Sequence, residues 1–246
     1  MKKTAQKLLL ALYPTDTKAV WLDYDVLSFL TPEITAAGRR SLVAQVQKKS
    51  LVHVEHLQRT KFRITQQGQH EIQAYFPALL GKEGWQGEWT FILFLSAPQQ
   101  DPSFRYLRTL LLQRGAVIIT RGGYVYPGLL PQEVLSLCQE LYRDEVVITL
   151  LGKMIQGDIM ALISHTYSLS DMFQTYSGIS RETSSLIRRK QPLSELNNQQ
   201  KDLIYTAFDR FFTALEQDPG ILRYYYPDSP DPLSILNDFQ DLLGIL

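Results

Sequence analysis

Residues 20–68 constrain the fold of this 246-residue chain more than any other part of the sequence. A short apolar segment at residues 20–30 is broken by Thr31-Pro32, and a basic amphipathic segment follows at residues 36–49. Two strand-like segments, 51–56 and 61–65, then flank a basic turn. Helix, turn, basic helix and hairpin in this order predict a winged helix-turn-helix, with which proteins bind double-stranded DNA.

The basic helix predicted at residues 36–49 has two unlike faces. Leu42, Val43 and Val46 recur at helical spacing and are predicted to face the core. The opposite face collects polar and cationic side chains, which can reach base edges or phosphates from within a major groove. The DNA-contacting residues predicted on this helix and at its end are Arg39, Arg40, Ser41, Gln45, Lys48 and Lys49.

The hairpin that follows this helix carries further positive charge near its tip. Arg59, Lys61 and Arg63 lie on or beside the turn between the two predicted strands. In a winged helix this tip lies beside the phosphate backbone or the minor groove, so cations there raise DNA affinity. We therefore predict that these three residues also contact DNA. The alternative interpretation is an ordinary solvated charged surface.

Charge is distributed unevenly along the chain, although 25 Lys and Arg balance 25 Asp and Glu overall. Residues 1–75 hold 11 Lys and Arg against 6 Asp and Glu, a net charge of +5. Residues 76–246 hold 14 against 19, a net charge of −5. A basic head on an acidic body is expected when only the head meets phosphate.

The remainder of the chain predicts two further units. Pro77 and three glycines make residues 77–87 a predicted linker. The segments after it alternate as strand, helix, hairpin, helix and strand, and this order, βαββαβ, is that of a ferredoxin-like domain. From residue 158 onward the apolar periodicity predicts helices at 159–167, 170–177, 199–216 and 233–243. The polar segment at residues 180–198 is predicted to be a loop with some helix.

These patterns together predict an α+β chain of three domains. The predicted domains are a winged helix-turn-helix at 1–78, a ferredoxin-like domain at 85–155 and a helical C-terminal domain at 156–246.

Several classes of protein are disfavoured by composition. The single Cys138 excludes a disulfide framework and a cysteine-based zinc site, and the four histidines show no ligand spacing. We therefore expect no metal and no cofactor. Apolar runs such as residues 91–95 are far shorter than the roughly 20 residues that span a membrane, and no signal peptide is apparent. We expect a cytoplasmic protein that makes no membrane contact.

Three groups of residues, in their order and spacing, resemble the PaaX-like family of phenylacetic-acid-degradation repressors. They are Arg40-x-x-Val43-x-x-Val46 followed by Thr65-x-x-Gly68, then Trp85-x-Gly87-x-Trp89, and finally Asp218-Pro219 with Pro227 nine residues after Asp218. The chain departs from the family pattern at Ser50, where the family has a Gly after the recognition helix. It departs again at Gln45, where the family has an Arg.

The resemblance implies a repressor whose effector is an aryl-acyl coenzyme A. A symmetric dimer would match a pseudo-palindromic operator and double the contacts of one winged helix, so we also predict a dimer. We accordingly predict a DNA-binding transcriptional regulator without enzymatic activity. Its predicted partners are double-stranded DNA at a pseudo-palindromic operator, a second copy of the chain and a small-molecule effector such as an acyl-CoA. Repression would follow from occupation of promoter DNA.

An alternative function follows from the ferredoxin-like order, which the small CRISPR-associated integration subunit shares. That protein places a metal-binding Asp at the end of its first strand. Here the strand ends in Phe94-Leu95-Ser96-Ala97, and the next carboxylate is Asp101. A divalent cation needs oxygen ligands in fixed positions. A CRISPR-associated or nuclease-like accessory protein with a DNA-binding head, and a non-catalytic assembly module, are therefore the alternatives to the repressor.

Overall fold

The computed structural model describes residues 1–17, 19–56, 58–83, 85–95, 100–142, 146–153, 161, 163, 166–187 and 195–244. The chain is mixed α/β and its strands form two small antiparallel sheets. The elements up to residue 75 are α1 (Lys3–Ala11), β1 (Leu22–Asp23), α2 (Tyr24–Leu30), α3 (Ala36–Lys48), β2 (Val52–His56), β3 (Thr60–Ile64) and α4 (Gln66–Tyr75).

A 3-10 segment, Pro77–Glu83, leads into the rest of the chain. The elements that follow are β4 (Glu88–Phe94), α5 (Pro102–Gln113), β5 (Val117–Thr120), β6 (Gly123–Pro127), α6 (Gln132–Tyr142), β7 (Val146–Lys153), α7 (Leu169–Ile187), α8 (Asn198–Gln217), α9 (Leu222–Tyr225) and α10 (Pro232–Leu243). The helix predicted at residues 159–167 lies mostly outside the described residues.

The first sheet has the strand order β1-β3-β2 and explains why the second helix begins later than predicted. The apolar segment predicts the first helix of the helix-turn-helix at residues 21–30, and its start is wrong, because Leu22 pairs with Phe62 of β3 as strand β1. Asp23 then caps α2, since its Oδ1 accepts hydrogen bonds from the N–H groups of Asp25 (2.9 Å) and Val26 (3.1 Å).

The helix α3 begins at Ala36, as predicted, but its N-cap is Thr35 and not Thr31, the residue that the sequence favours for this role. The Thr35 hydroxyl accepts a hydrogen bond from the Gly38 N–H at 3.1 Å. The Thr31 hydroxyl instead donates to the Leu27 carbonyl at 2.6 Å, which completes the last turn of α2. The connection between the two helices is thus fixed by hydrogen bonds at both ends.

The second sheet has the strand order β5-β6-β4-β7, and α5 and α6 cover one of its faces. The side chains that alternate toward these helices, such as Ile92, Phe94 and Tyr124, are buried with Leu107 and Val134. Gly115, with a φ of +92°, ends α5 where predicted.

One hydrophobic core joins the N-terminal head to the C-terminal helices. Leu9 of α1 packs in the same cluster as Phe208 and Phe239 of α8 and α10. Phe76 and Phe212 make an edge-to-face contact with ring centroids 5.4 Å apart. Leu79, within the predicted linker, is buried in this core as well. The segment 77–83 is therefore packed and partly helical, which the linker prediction missed.

The helix α7 is longer than the sequence predicted, since it continues to Ile187 through part of the predicted loop. Tyr176, Ile179 and Thr183 recur at steps of three and four and are buried along one face. The polar side chains between them lie on the solvent side, and their number led to the loop prediction. No helix within the described ranges has the length and apolarity that crossing a bilayer requires.

Candidate nucleic-acid interface

The helix α3 separates its side chains as the periodicity predicts. Leu42, Val43 and Val46 are buried against the head, and the opposite face is open to solvent. On that face the Gln45 amide lies 3.4 Å from the Ser41 hydroxyl, one turn away. The predicted contact residues exposed along this surface and at its C-terminal end are Arg40, Ser41, Gln45, Lys48 and Lys49. We call these five residues the α3 face.

Arg39 does not belong to the α3 face. It is half-buried, and its Nη1 donates to the Ile34 carbonyl at 2.5 Å and to the Thr31 carbonyl at 3.1 Å. The Thr31 carbonyl also accepts from the Ile34 N–H at 3.3 Å, so the guanidinium adds to the backbone hydrogen bonding of the turn before α3. These contacts give Arg39 a role in holding the turn against α3.

The C-terminal end of α3 adopts a Schellman motif. The Leu51 N–H donates to the Val46 carbonyl at 2.9 Å, and the Ser50 N–H donates to the Gln47 carbonyl at 2.8 Å. The motif needs a left-handed residue, and Ser50 has a φ of +57°. Glycine is the residue best suited to this conformation. The backbone therefore accounts for the glycine that the resemblance leads one to expect at this position.

The Thr65-x-x-Gly68 motif joins the end of α3 to the start of α4. The Thr65 hydroxyl donates to the Ser50 carbonyl at 2.6 Å and accepts from the Gly68 N–H at 3.1 Å. A Cβ at Gly68 would lie 2.2 Å from the Leu51 carbonyl oxygen and 2.7 Å from Ile64 Cγ1. The motif thus fixes the angle between α3, the hairpin and α4, and it contributes no side chain to the exposed surface of α3.

The hairpin β2–β3 places Arg59 next to two carboxylates. Its Nη1 lies 3.2 Å from Asp25 Oδ2 and 3.6 Å from Asp23 Oδ2, both at the start of α2. The side chains of Arg59 and Asp25 are 70% and 83% exposed, so solvent screens the attraction. The sequence prediction treated Arg59 as a cation available to phosphate and did not foresee these partners.

Lys61 and Arg63 lie on the exposed face of the same sheet. Lys61 stands opposite Glu55 on one side and Asp23 on the other, so acidic side chains flank it across both neighbouring strands. The Arg63 guanidinium lies over the Trp21 ring, 5.3 Å from its centroid. The hairpin surface is therefore nearly balanced in charge, whereas the α3 face contains cations and no carboxylate.

Two adjoining cavities lie where the head, the second sheet and the C-terminal helices meet. One has a volume of about 350 Å³ and is lined by Tyr75 of α4, Arg114 after α5 and Asp218 after α8, among others. Its neighbour, of about 460 Å³, includes Trp85 in its lining and shares residues such as Tyr126 with the first. We call the pair the junction cavity.

Asp218 is fully buried at the wall of the junction cavity. Its carboxylate accepts hydrogen bonds from the Tyr176 hydroxyl at 3.1 Å and from the Gly220 N–H at 2.8 Å. Burial raises the pKa of Asp218 to about 6, although these hydrogen bonds oppose the rise. The Asp-Pro motif noted in the sequence is thus a buried turn that starts the segment between α8 and α9.

Asp101, the carboxylate relevant to the nuclease alternative, is used as the N-cap of α5. Its Oδ1 accepts from the Ser103 N–H at 2.9 Å, and its Oδ2 accepts from the Tyr142 hydroxyl. The Tyr142 hydrogen bond lowers the pKa of Asp101. Ser96 lies outside the described residues. Within the part of the chain that is described, no three His, Cys, Asp or Glu side chains form a group that could hold a metal ion.

No protein-family model matches the chain, and no curated protein matches it. Among solved structures, the chain is similar to the "Uncharacterized protein Rv0674 from Mycobacterium tuberculosis", with 14% sequence identity and a TM-score of 0.48. The similarity covers 99% of this chain and 100% of that one.

Proposed function

We propose that this protein is a DNA-binding transcriptional regulator, a ligand-responsive repressor whose recognition helix is α3. In this proposal the elements α1 to α4 and β1 to β3 form a winged helix-turn-helix, and β4 to β7 with α5 and α6 form a ferredoxin-like domain. The order β5-β6-β4-β7, with both helices on one face, supports the second assignment. The PaaX-like resemblance supports the same combination.

The single observation that carries the proposal is the α3 face. Its cations, Arg40, Lys48 and Lys49, are exposed beside the polar pair of Ser41 and Gln45, opposite a buried apolar stripe. A helix with this division can enter a major groove, where arginine and glutamine side chains pair with guanine and adenine edges. Capping at both ends by Thr35 and the Schellman motif holds the helix rigid for such contacts.

The proposal is tested by selecting duplexes from a random library with the full chain and measuring affinity by fluorescence anisotropy. We expect Arg40→Ala to weaken binding to the selected duplex by about 1–3 kcal/mol and to reduce discrimination against a scrambled duplex. Arg181→Ala is the matched control, because Arg181 is exposed on α7 outside the head. Equal affinities of wild type and Arg40→Ala for both duplexes would remove α3 as the recognition helix.

The hairpin makes a smaller and sequence-independent contribution in this proposal. Because Arg59 is paired with Asp25, Asp25→Asn should release it toward phosphate and strengthen binding to every duplex. The slope of log K against log salt concentration should steepen by roughly 0.9 for one added phosphate contact. Arg59→Ala should change the slope in the opposite direction or leave it unaltered. A flatter slope in Asp25→Asn would contradict the assignment of the hairpin as a wing.

We propose that a homodimer binds a pseudo-palindromic operator, because two copies of α3 double the base contacts. Leu93 and Ile119, on the sheet face away from α5 and α6, are 43% and 45% exposed and offer apolar surface for pairing. Leu93→Glu should shift the full chain to monomers in light scattering, whereas Leu203→Glu, at an exposed site on α8, should not. A wild-type chain that stays monomeric on its selected duplex would exclude the dimer.

We further propose that a small-molecule effector, such as an acyl-CoA, occupies the junction cavity. Cavities of this size fall within the range that small ligands use in proteins. The junction cavity lies between the head and the rest of the chain. A ligand bound there can therefore favour one relative arrangement of the two parts, provided that it binds that arrangement more tightly. Addition of an aryl-acyl-CoA should release the selected duplex, with free coenzyme A as the control. Retention of the duplex at saturating ligand would exclude this effector class.

A further inference from the structure

The second sheet carries a pocket of about 580 Å³ between α5, the edge strand β5 and the turn into β6. Three of its eight lining residues are arginines, Arg105, Arg108 and Arg121, and none is acidic. This concentration of positive charge is unusual for the part of the chain after residue 75, where Asp and Glu outnumber Lys and Arg by 19 to 14. We call it the arginine pocket.

The sequence positions these arginines through regular structure. Arg105 and Arg108 are three residues apart on α5, which places them on neighbouring turns of one helix face. Arg121 belongs to the tight turn between β5 and β6, where Gly122 takes the left-handed conformation with a φ of +79°. Helix and turn therefore converge on the pocket from two sides.

The floor of the pocket is aromatic. Tyr124 and Phe104 are buried beneath it, and the positive charge of the nearby Arg108 side chain opposes the rise that burial causes in the pKa of Tyr124. Arg105 donates from its Nη2 to the Gln100 carbonyl at 3.2 Å, which holds that side chain along the rim. A guanidinium held in place loses less conformational freedom when it binds an anion.

We propose that the arginine pocket binds a small ligand that carries two or more phosphate groups. Guanidinium groups bind phosphate oxygens in a bidentate manner, and three of them around one concave surface exceed the needs of a single carboxylate. The aromatic floor accepts a planar or apolar portion of the same ligand. The site is separate from the α3 face and the junction cavity, and this proposal does not depend on DNA binding.

Isothermal titration calorimetry of the full chain with inorganic triphosphate, ADP and adenosine tests the proposal. Triphosphate and ADP should bind and adenosine should not, because the phosphates supply the interaction. Arg108→Gln and Arg121→Gln should each weaken triphosphate binding by about 10-fold or more, as expected for loss of a charged hydrogen bond. Arg181→Gln, which removes a charge elsewhere, should leave triphosphate affinity within about two-fold of wild type.

Three results would overturn the proposal. Triphosphate that does not bind removes the site, and equal binding to wild type and both pocket variants places the ligand elsewhere. Loss of duplex affinity in Arg108→Gln, without triphosphate binding to wild type, would make the pocket an extension of the DNA interface. A cooperative thermal unfolding transition checks that each variant is folded. Duplex binding is measured on the same samples, so that absence of triphosphate binding can be distinguished from absence of DNA binding.

Discussion

Replacing Ser50 with glycine should stabilise the protein, although it removes a side chain and adds backbone freedom. Ser50 occupies the left-handed position of the Schellman motif that ends α3, with a φ of +57°. It is exposed, so the substitution opens no cavity. Its two backbone hydrogen-bonding groups, the N–H to Gln47 and the carbonyl to Thr65, remain available in glycine.

The size of the effect follows from two opposing terms. A left-handed backbone costs a residue with a Cβ roughly 1–2 kcal/mol, and glycine removes this cost. Glycine also gains freedom in the unfolded chain, which costs about 0.4–1 kcal/mol. The difference leaves Ser50→Gly more stable by about 0.5–1 kcal/mol. At Lys49, where φ is −84°, only the second term applies, so Lys49→Gly should be less stable by about 0.5–1 kcal/mol.

Chemical denaturation of the full chain measures both variants against wild type. The two exposed and adjacent positions take the same new residue, so opposite signs isolate the backbone conformation as the cause. Destabilisation by both substitutions, or by Ser50→Gly alone, would refute the argument. DNA affinity should be unchanged in Ser50→Gly, since Ser50 is not part of the α3 face and the helix end keeps its geometry.

Two other substitutions test the architecture around the site. Gly68→Ala should lower the free energy of unfolding by about 3 kcal/mol, because the new Cβ would lie 2.2 Å from the Leu51 carbonyl oxygen. Gly38→Ala in α3, whose Cβ would lie 3.4 Å from its nearest neighbour, should be neutral or stabilising. Similar effects of the two substitutions would contradict the close approach at Gly68. Asp218→Asn should gain stability relative to wild type as pH rises from about 4 to about 6, by up to about 3 kcal/mol, and remain constant above. The raised pKa keeps the folded carboxyl protonated in that window while the unfolded one ionises, and a pH-independent difference between the variants would refute the shift.

The fold was predictable where local signals were strong. Apolar periodicity located α3, α8 and α10 within a residue or two, and the strand pattern located both strands of the hairpin. The errors arose where tertiary contacts override local preference. Leu22 forms a strand because it pairs with Phe62 of β3, and nothing within residues 20–30 indicates that partner.

The same distinction separates the parts of the candidate site. The division of α3 into a buried and an exposed face follows from sequence spacing alone, so the exposure of Arg40, Ser41 and Gln45 could be predicted from the sequence. The pairing of Arg59 with Asp25 could not, because it depends on how the hairpin folds over the start of α2. One usable signal was available: two aspartates at the start of a helix are common partners for a nearby cation.

The C-terminal helices share a hydrophobic core with the head, so tests of DNA binding require the full chain and not the isolated head. The domain boundaries at residues 78 and 156 stay predictions, but a cut at 78 would divide the joint core, and it would separate Phe76 from Phe212, whose rings are in contact. It would also break the ion pair of Lys7 with Asp209, whose N–O distance is 2.7 Å. Exposing such apolar surface costs about 25 cal/mol per Å², so an isolated head loses much of its stability.

This joint core also gives the head a mechanical connection to the junction cavity. Tyr75, at the end of α4, lines that cavity, and Gly68, in the first turn of the same helix, touches the Leu51 carbonyl just after α3. A ligand that moves the backbone at Tyr75 can therefore shift the Gly68 contact at the other end of the same short helix, next to the end of α3. Regulation by this route requires a second packing arrangement that the ligand binds more tightly. Hydrogen exchange of α4 and α3 amides, with and without aryl-acyl-CoA, reports such a change, and protection in α4 without any change in α3 would exclude the route.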